Sequence, residues 1–331
     1  MWSSPRVAGS VAFAASPLGA AFPIIATSLA VPILYTCITL AKQHGHIPEW
    51  LDTPPISLAG VHEPEATVYR IGFPLIMLAL FLIELPVVTL LRAALSSGPE
   101  EIGTPPEDGE GRADVLTVLD RASLVARIAF VGLGLQGVIP LQGWGTAATI
   151  VHVMSANVFF MLSIYHGACV LWCLSTRTAA EAGDALPVAR ARDTVAWYLR
   201  AAVLVAAFFP MGPAMILHPG TQPVDHDAVA AAAAASGAAG SLPGARSHAL
   251  DAAEHERSME SAGFSQWWMV GSIITYYALY ARDLYLLGRS NAARVSDAQR
   301  AWGVGGITVA LGLARGDGAA MDGDADDTKT E

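Results

Sequence analysis

Polar side chains set inside long apolar stretches are the residues of this chain whose types and spacing could do chemistry. Histidine moves protons near neutral pH, and His152 and His166 fall within one such stretch. At 100° per residue, Ser155, Ser163 and His166 lie within about 60° of His152, so the four share one helix face. A rise of 1.5 Å per residue separates the two histidines by about 21 Å, so they cannot ligate one metal together. Asn157, about 140° away on the same stretch, needs a different partner. Glu84, two residues before Pro86, and Gln136 add an acid and an amide to this set. A carboxyl at membrane depth must be protonated, paired or open to a cavity. Two readings stand side by side: an acid–base site centred on His152, or a hydrogen-bonded seam tying helices together. No serine-nucleophile motif of the Gly-x-Ser-x-Gly type occurs. Cys37, Cys169 and Cys173 lie in apolar stretches without a CxxC pair, so no metal and no other cofactor is expected. Cys169 and Cys173, one helical turn apart, read as packed small residues, with palmitoylation of Cys173 as the alternative.

The elements that must position these residues follow from composition. Of 331 residues, 53% are hydrophobic and 15% charged, against roughly a quarter charged in a soluble domain. The apolar residues concentrate in six stretches, 18–41, 71–91, 124–142, 148–174, 196–217 and 266–287. Each is close to the ~20 residues that a membrane-crossing helix requires. A seventh stretch, 302–314, is too short to cross unaided. The expected fold is therefore an all-α integral membrane bundle of six transmembrane helices. With a cytosolic N-terminus, 15 of the Lys and Arg residues fall on the cytosolic side and 4 on the other. Positive residues stay inside, so both termini are expected in the cytosol. The net charge of −10 excludes a nucleic-acid partner. Much of it belongs to the tail, where Asp317, Asp322, Asp324, Asp326, Asp327 and Glu331 cluster.

This layout predicts a cytosolic N-terminus at 1–17, a membrane domain at 18–288 and an acidic, disordered tail at 289–331. Arg6 followed by Val7–Ala15 invites a signal-peptide reading, but the apolar character runs on through Leu40, which favours a retained first span. The luminal loops are 43–70 and 218–265; the alanine-rich tract 228–236 reads as a linker or a poor helix. The cytosolic segment 92–123, rich in Pro, Gly and Glu, reads as a flexible connector. Neither asparagine heads an Asn-x-Ser/Thr, so N-glycosylation is excluded. Seven of nine histidines (His44, His46, His62, His218, His226, His248 and His255) fall in the luminal loops. They read either as solvated side chains or as a surface responsive to pH or metal. In the last span, Gln266-Trp267-Trp268 and Tyr280 to Tyr285 form aromatic belts. Tyr276, Tyr280 and Asp283 form a helix-contact stripe, with Asp283 paired beside Arg282 at the cytosolic surface.

The order of motifs adds a resemblance. Loop 43–70 contains Pro55-Ile56-Ser57-Leu58-Ala59-Gly60, then Pro64-Glu65, then Tyr69 and Phe73. This is similar to the "P-x-I-S-x-x-G … P-E … F" luminal loop of the Frag/DRAM/Sfk family, also called the CWH-like N-terminal domain. Later motifs match in order: Gly134-Leu135-Gln136-Gly137-Val138-Ile139-Pro140, Val151-His152, Ala156-Asn157, Tyr165-His166-Gly167, Gln266-Trp267 and Tyr276-Tyr277. The resemblance covers roughly 18–288. The chain departs from it at Leu58, where many members carry Asp, and in the length of its second luminal loop.

The resemblance implies a six-span endomembrane protein that handles lipid. One branch comprises post-GPI-attachment remodelling factors of the Golgi or endoplasmic reticulum. These imply membrane lipids and GPI-anchored proteins as partners, with His152 as the acid–base group and Glu84 or His218 orienting it. Other branches, autophagy modulators of lysosomal membranes and plasma-membrane regulators of phosphoinositide signalling, imply a non-enzymatic regulator or scaffold. An electron carrier with His152 and His218 as haem ligands is the weakest reading, because His218 ends its span beside Pro219.

Overall fold

A computed structural model of the chain describes residues 4–96, 109–139, 141, 145–176, 179, 182, 186–187, 195–210 and 243–292. Helices α1 (Pro5–Ala15), α2 (Pro17–Ser28) and α3 (Ala30–Gln43) lead into a 3-10 turn at Ile56–Gly60. Then follow α4 (Glu65–Ser96), α5 (Gly109–Val138), α6 (Thr146–Ser175), α7 (Val195–Phe208), α8 (Pro243–Ala278) and α9 (Tyr280–Asn291). No strand occurs among the described residues. Among the described residues, three stretches are long and apolar enough to cross a membrane: Pro17–Gln43, Glu65–Ser96 and Thr146–Ser175, with mean hydropathies of 2.0, 2.4 and 1.7.

Several expected boundaries shift. The first span is broken at Leu29, directly after which the chain continues as α3, with Pro32 near its start. A proline ring clashes with the carbonyl four residues back, here that of Ser28, and supplies no N–H, so the helix must restart. The Thr27 hydroxyl donates to the Pro23 carbonyl (2.6 Å), a local bond that also bends helices. The 92–123 connector shrinks to 97–108, because α4 runs to Ser96 and α5 begins at Gly109. Arg92 and Asp120 pair across these two helical ends. The second long loop is helical from Pro243 onward, and that helix continues unbroken into the last span. Charged residues favour water but not disorder, and a helix can carry its apolar half into the bundle while its polar half extends beyond it. The last span itself is interrupted by one turn at Leu279. Residues 211–242, including the alanine-rich tract and His218, lie outside the described residues, as do 302–314 and the acidic tail.

The N-terminal segment is also more structured than an extramembrane tail. Pro5 at the first helical position suits the start of α1. Ser16 is extended because Pro17 follows it, and its hydroxyl oxygen accepts the Gly19 N–H (2.9 Å), capping α2. Helix α1 buries Val7, Ala8, Ser10, Val11 and Ala14 against α9 and α4. The approach is close because residue 288 is glycine: a Cβ there would lie 2.5 Å from backbone atoms of Ala14 and Ala15.

At the centre, α5 packs along both α4 and α6. A Cβ on Gly132 would lie 2.8 Å from the Ser155 carbonyl oxygen, so small residues set the α5–α6 distance, as is common for helices in lipid. Phe81, Phe130 and Tyr277 stack edge to face, with ring centroids 5.2 and 5.5 Å apart. Replacing Gly288 by leucine is expected to push α1 off α9, at about 1–3 kcal/mol for overpacking. A lower melting temperature in detergent, with faster trypsin cleavage at Arg6, would register the loss.

Candidate functional site

The loop 43–64 folds back as a roof over one end of the bundle. Its apolar residues Ile47, Leu51, Ile56 and Ala59 are buried. Two residues at the bundle end of α8 clamp it: the Gln266 side-chain oxygen accepts the Ile56 N–H (3.0 Å), and the Trp267 indole donates to the Pro54 carbonyl (2.9 Å). Gly60 is required here because a Cβ would lie 2.6 Å from the Tyr69 ring. Glu63 fastens the loop to α4, accepting from the Thr67 hydroxyl (2.6 Å) and N–H (3.1 Å) and from Arg70 (2.9 Å). The Thr67 hydroxyl and the Arg70 guanidinium hold the Glu63 carboxyl below the usual carboxylate range. Pro64 leads directly into Glu65, whose buried carboxylate is 2.6 Å from His46 Nδ1.

Beneath the roof lies a narrow cavity of about 60 Å³, room for a few waters or a thin hydrocarbon chain. Its walls are mostly apolar, including Phe73, Leu80, Phe159, Phe160 and Ile273. Ser57 from the roof, Gln136 from α5, His152 and Asn157 from α6 and Gln266 from α8 supply its polar groups. Tyr69 stands behind them, its hydroxyl accepting from the Gln136 amide (3.1 Å). The cavity thus brings five of the residues singled out in the sequence to one place, from four separate segments.

His152 is buried, at 2% exposure, and its Nδ1 lies 2.6 Å from the Ile139 carbonyl. A carbonyl only accepts, so Nδ1 carries the proton and Nε2 keeps its lone pair in the neutral ring. Nε2 is buried and has no partner among the described residues. The backbone carbonyl of Ile139 therefore orients this imidazole; Glu84, expected as a possible orienting group, does not.

The remaining polar residues form a second network farther along the helices, so the expected single seam is divided. The Glu84 carboxylate accepts from Ser123 (2.5 Å) and faces Arg127 (3.7 Å). His166 Nδ1 donates to the Ala122 carbonyl (3.0 Å), and its Nε2 accepts from the Tyr280 hydroxyl (2.9 Å). Tyr276 in turn donates to the Gly167 carbonyl (3.3 Å). Both nitrogens of His166 are thereby used. Ser163 is buried beside Tyr277, and Ser155 is buried where α6 crosses Gly132. Asp283 does not pair with Arg282 at the surface: it pairs with Arg200, and both side chains are 2% exposed. Arg200, which the orientation argument placed at a cytosolic span end, was missed as an interior residue; its signal was a charge in the sixth position of an otherwise apolar helix. Ser123, Arg127, Tyr69 and Tyr277 were missed as well. Tyr69 and Tyr277 lie within motifs of the resemblance, whereas Ser123 and Arg127 have no marking beyond being polar in apolar surroundings.

Three loop histidines do gather: the His46 ring is 5.8 Å from His44 and 4.7 Å from His62. Among the described residues, no group of three or more His, Cys, Asp or Glu is placed to hold a metal. Cys173 is 1% exposed and packs against α5, so it is no lipidation site.

Two tests follow from this geometry. Converting Gln266 to leucine and Trp267 to phenylalanine leaves the Ile56 N–H and Pro54 carbonyl without their partners, at about 1–3 kcal/mol for each buried group; hydrogen exchange at the Ile56 amide should accelerate while the α5 core stays protected. Arg200→Leu alone strands a buried carboxylate and is expected to lower stability by about 3–5 kcal/mol. Arg200→Leu combined with Asp283→Leu should recover most of that loss in a detergent melting series.

No curated protein and no solved structure matches the chain. The family model described as the Frag1/DRAM/Sfk1/Cwh43P N-terminal domain matches residues 18–287, from the start of α2 to within α9 and including every residue around the cavity. The chain is thus a membrane protein that belongs to the Frag1/DRAM/Sfk1/Cwh43P N-terminal domain family.

Proposed function

We propose that this chain is a six-span protein of the endoplasmic reticulum or Golgi, with both termini cytosolic, that assists lipid remodelling of GPI-anchored proteins. Its roof loop then faces the lumen, where the glycan of a GPI anchor lies. The observation that carries this reading is the state of the two buried histidines. His166 has both nitrogens engaged, while His152 keeps a basic, unpartnered Nε2 in the wall of a narrow apolar cavity. The apolar wall suits an acyl chain, and the polar groups beneath the roof suit the glycerol end of a lipid. There Nε2 accepts a hydrogen bond from a lipid hydroxyl and, in a transfer step, takes its proton. Family membership supports the membrane setting, and the loop motif's resemblance to a family that includes a remodelling branch supports a lipid substrate.

The test is a rescue assay in cells lacking the endogenous remodelling factor, scoring surface retention of a GPI-anchored reporter. His152→Ala should lose rescue at unchanged protein level and location. His152→Asn, whose amide can still donate to Ile139 but has no basic nitrogen, should lose it too. Full rescue by both variants would remove His152 from the function. Residence of the wild-type chain in lysosomes, with no effect on the reporter, would overturn the remodelling reading in favour of a regulator of the autophagy-modulator type.

A further inference from the structure

A second opening lies on the outer surface of the bundle. Helix α8 packs on α7 and α2, and α3 packs on α4, leaving a groove of about 710 Å³ between α3 and α8. Tyr35, Ile38 and Lys42 line it from α3, and Trp267, Gly271 and Thr275 from α8. Tyr35 is 71% exposed, so the groove opens outward from the described bundle. Leu34, Val270 and Ile274 line both this groove and the cavity below the roof. Three apolar side chains are therefore the partition between the bilayer and the chamber that holds His152.

Two independent features indicate what occupies the groove. The first is Gly271. Glycines at the helix crossings are crowded: an added Cβ would come within 3 Å of a neighbour at Gly72, Gly132, Gly134, Gly137, Gly167 and Gly288. At Gly271 it would meet nothing within 4 Å. Glycine weakens a helix relative to alanine, and no packing contact among the described residues compensates for it here, so its smallness serves to keep the groove floor open. The second is Lys42, which lies at the roof end of the groove with no ion-pair partner among the described residues. An apolar trough ending at a lone ammonium is complementary to an acyl chain ending at a phosphate.

We propose that the α3–α8 groove is a lateral portal for a phosphate-bearing glycerolipid, whose phosphate rests at Lys42 and whose acyl chain passes between Leu34, Val270 and Ile274 into the cavity. This deepens the function proposed above and rests on it for what happens to the lipid, but occupancy of the groove is measured separately.

The full-length protein in nanodiscs is photolabelled with phosphatidylglycerol carrying a diazirine on one acyl chain, and with the matching diacylglycerol, which lacks the phosphate. Labelled peptides are then mapped by mass spectrometry. Phosphatidylglycerol should label α3 around Tyr35 and Ile38, and α6 around Phe159 and Phe160. Gly271→Leu, which has space for its side chain, should reduce both labels at least fivefold without lowering the melting temperature, while Gly271→Ala retains them. Lys42→Gln should reduce phosphatidylglycerol labelling to the diacylglycerol level. Labelling unchanged in Gly271→Leu, or equal for the two lipids in the wild-type protein, overturns the portal and leaves the role of His152 standing. Failure of the rescue assay with labelling intact overturns the remodelling function and leaves the portal standing.

Discussion

Inside hydrocarbon a polar group has no solvent to fall back on, so every buried hydrogen-bonding atom must be satisfied by another part of the chain. That constraint organises this molecule. It explains why Asp283 reaches Arg200 on another helix, why Glu84 meets Ser123, and why His166 is held between the Ala122 carbonyl and the Tyr280 hydroxyl. These contacts link α4, α5, α6, α7 and α9 and fix their rotations relative to one another. Satisfaction is not complete: Arg200 Nε and Nη1 and His152 Nε2 are among the buried atoms without a partner, and of these two residues only His152 lines the cavity.

The rotation set by that polar layer decides what the other end of the bundle can hold. With α5 and α6 held close at Gly132, Gln136 and His152 come to the same wall. Helix α8 then presents Gln266 and Trp267 to the loop, and both of these side chains bond to the roof's backbone. A roof held by its backbone leaves the Ser57 side chain to line the cavity. Glycine has two opposite uses in the same bundle. At crossings it lets backbones meet, and at Gly271 it leaves the outer groove between α3 and α8 unfilled.

Much of this was legible in the chain itself, for identifiable reasons. The stretches 71–91 and 148–174 read as membrane-length helices because their apolar runs are long and their polar residues few, and they lie within the helices Glu65–Ser96 and Thr146–Ser175. The loop motif and Gln266-Trp267 were visible as a pair of patterns, though not as two halves of one clamp. The helical part of the second long loop was missed because a charged helix outside the bundle has no apolar period to reveal it. The break at Leu29 was missed because Pro32 was absorbed in an unbroken apolar count, and Arg200 because a snorkelling residue and a buried ion-paired one look the same in sequence.

By itself, then, the sequence determined what is local: which segments are apolar enough to leave water, where prolines must interrupt them, and which motifs mark the family. Pairing is not local. Asp283 lies one residue from Arg282 and 83 from Arg200, yet it is bound to Arg200, because the helix points Arg282 elsewhere and brings Asp283 inward. For the same reason only the tertiary structure distinguished the two histidines. Their spacing put them on one face, but which nitrogen is engaged depends on what the neighbouring helices place opposite it: a tyrosine hydroxyl at His166 and a cavity at His152.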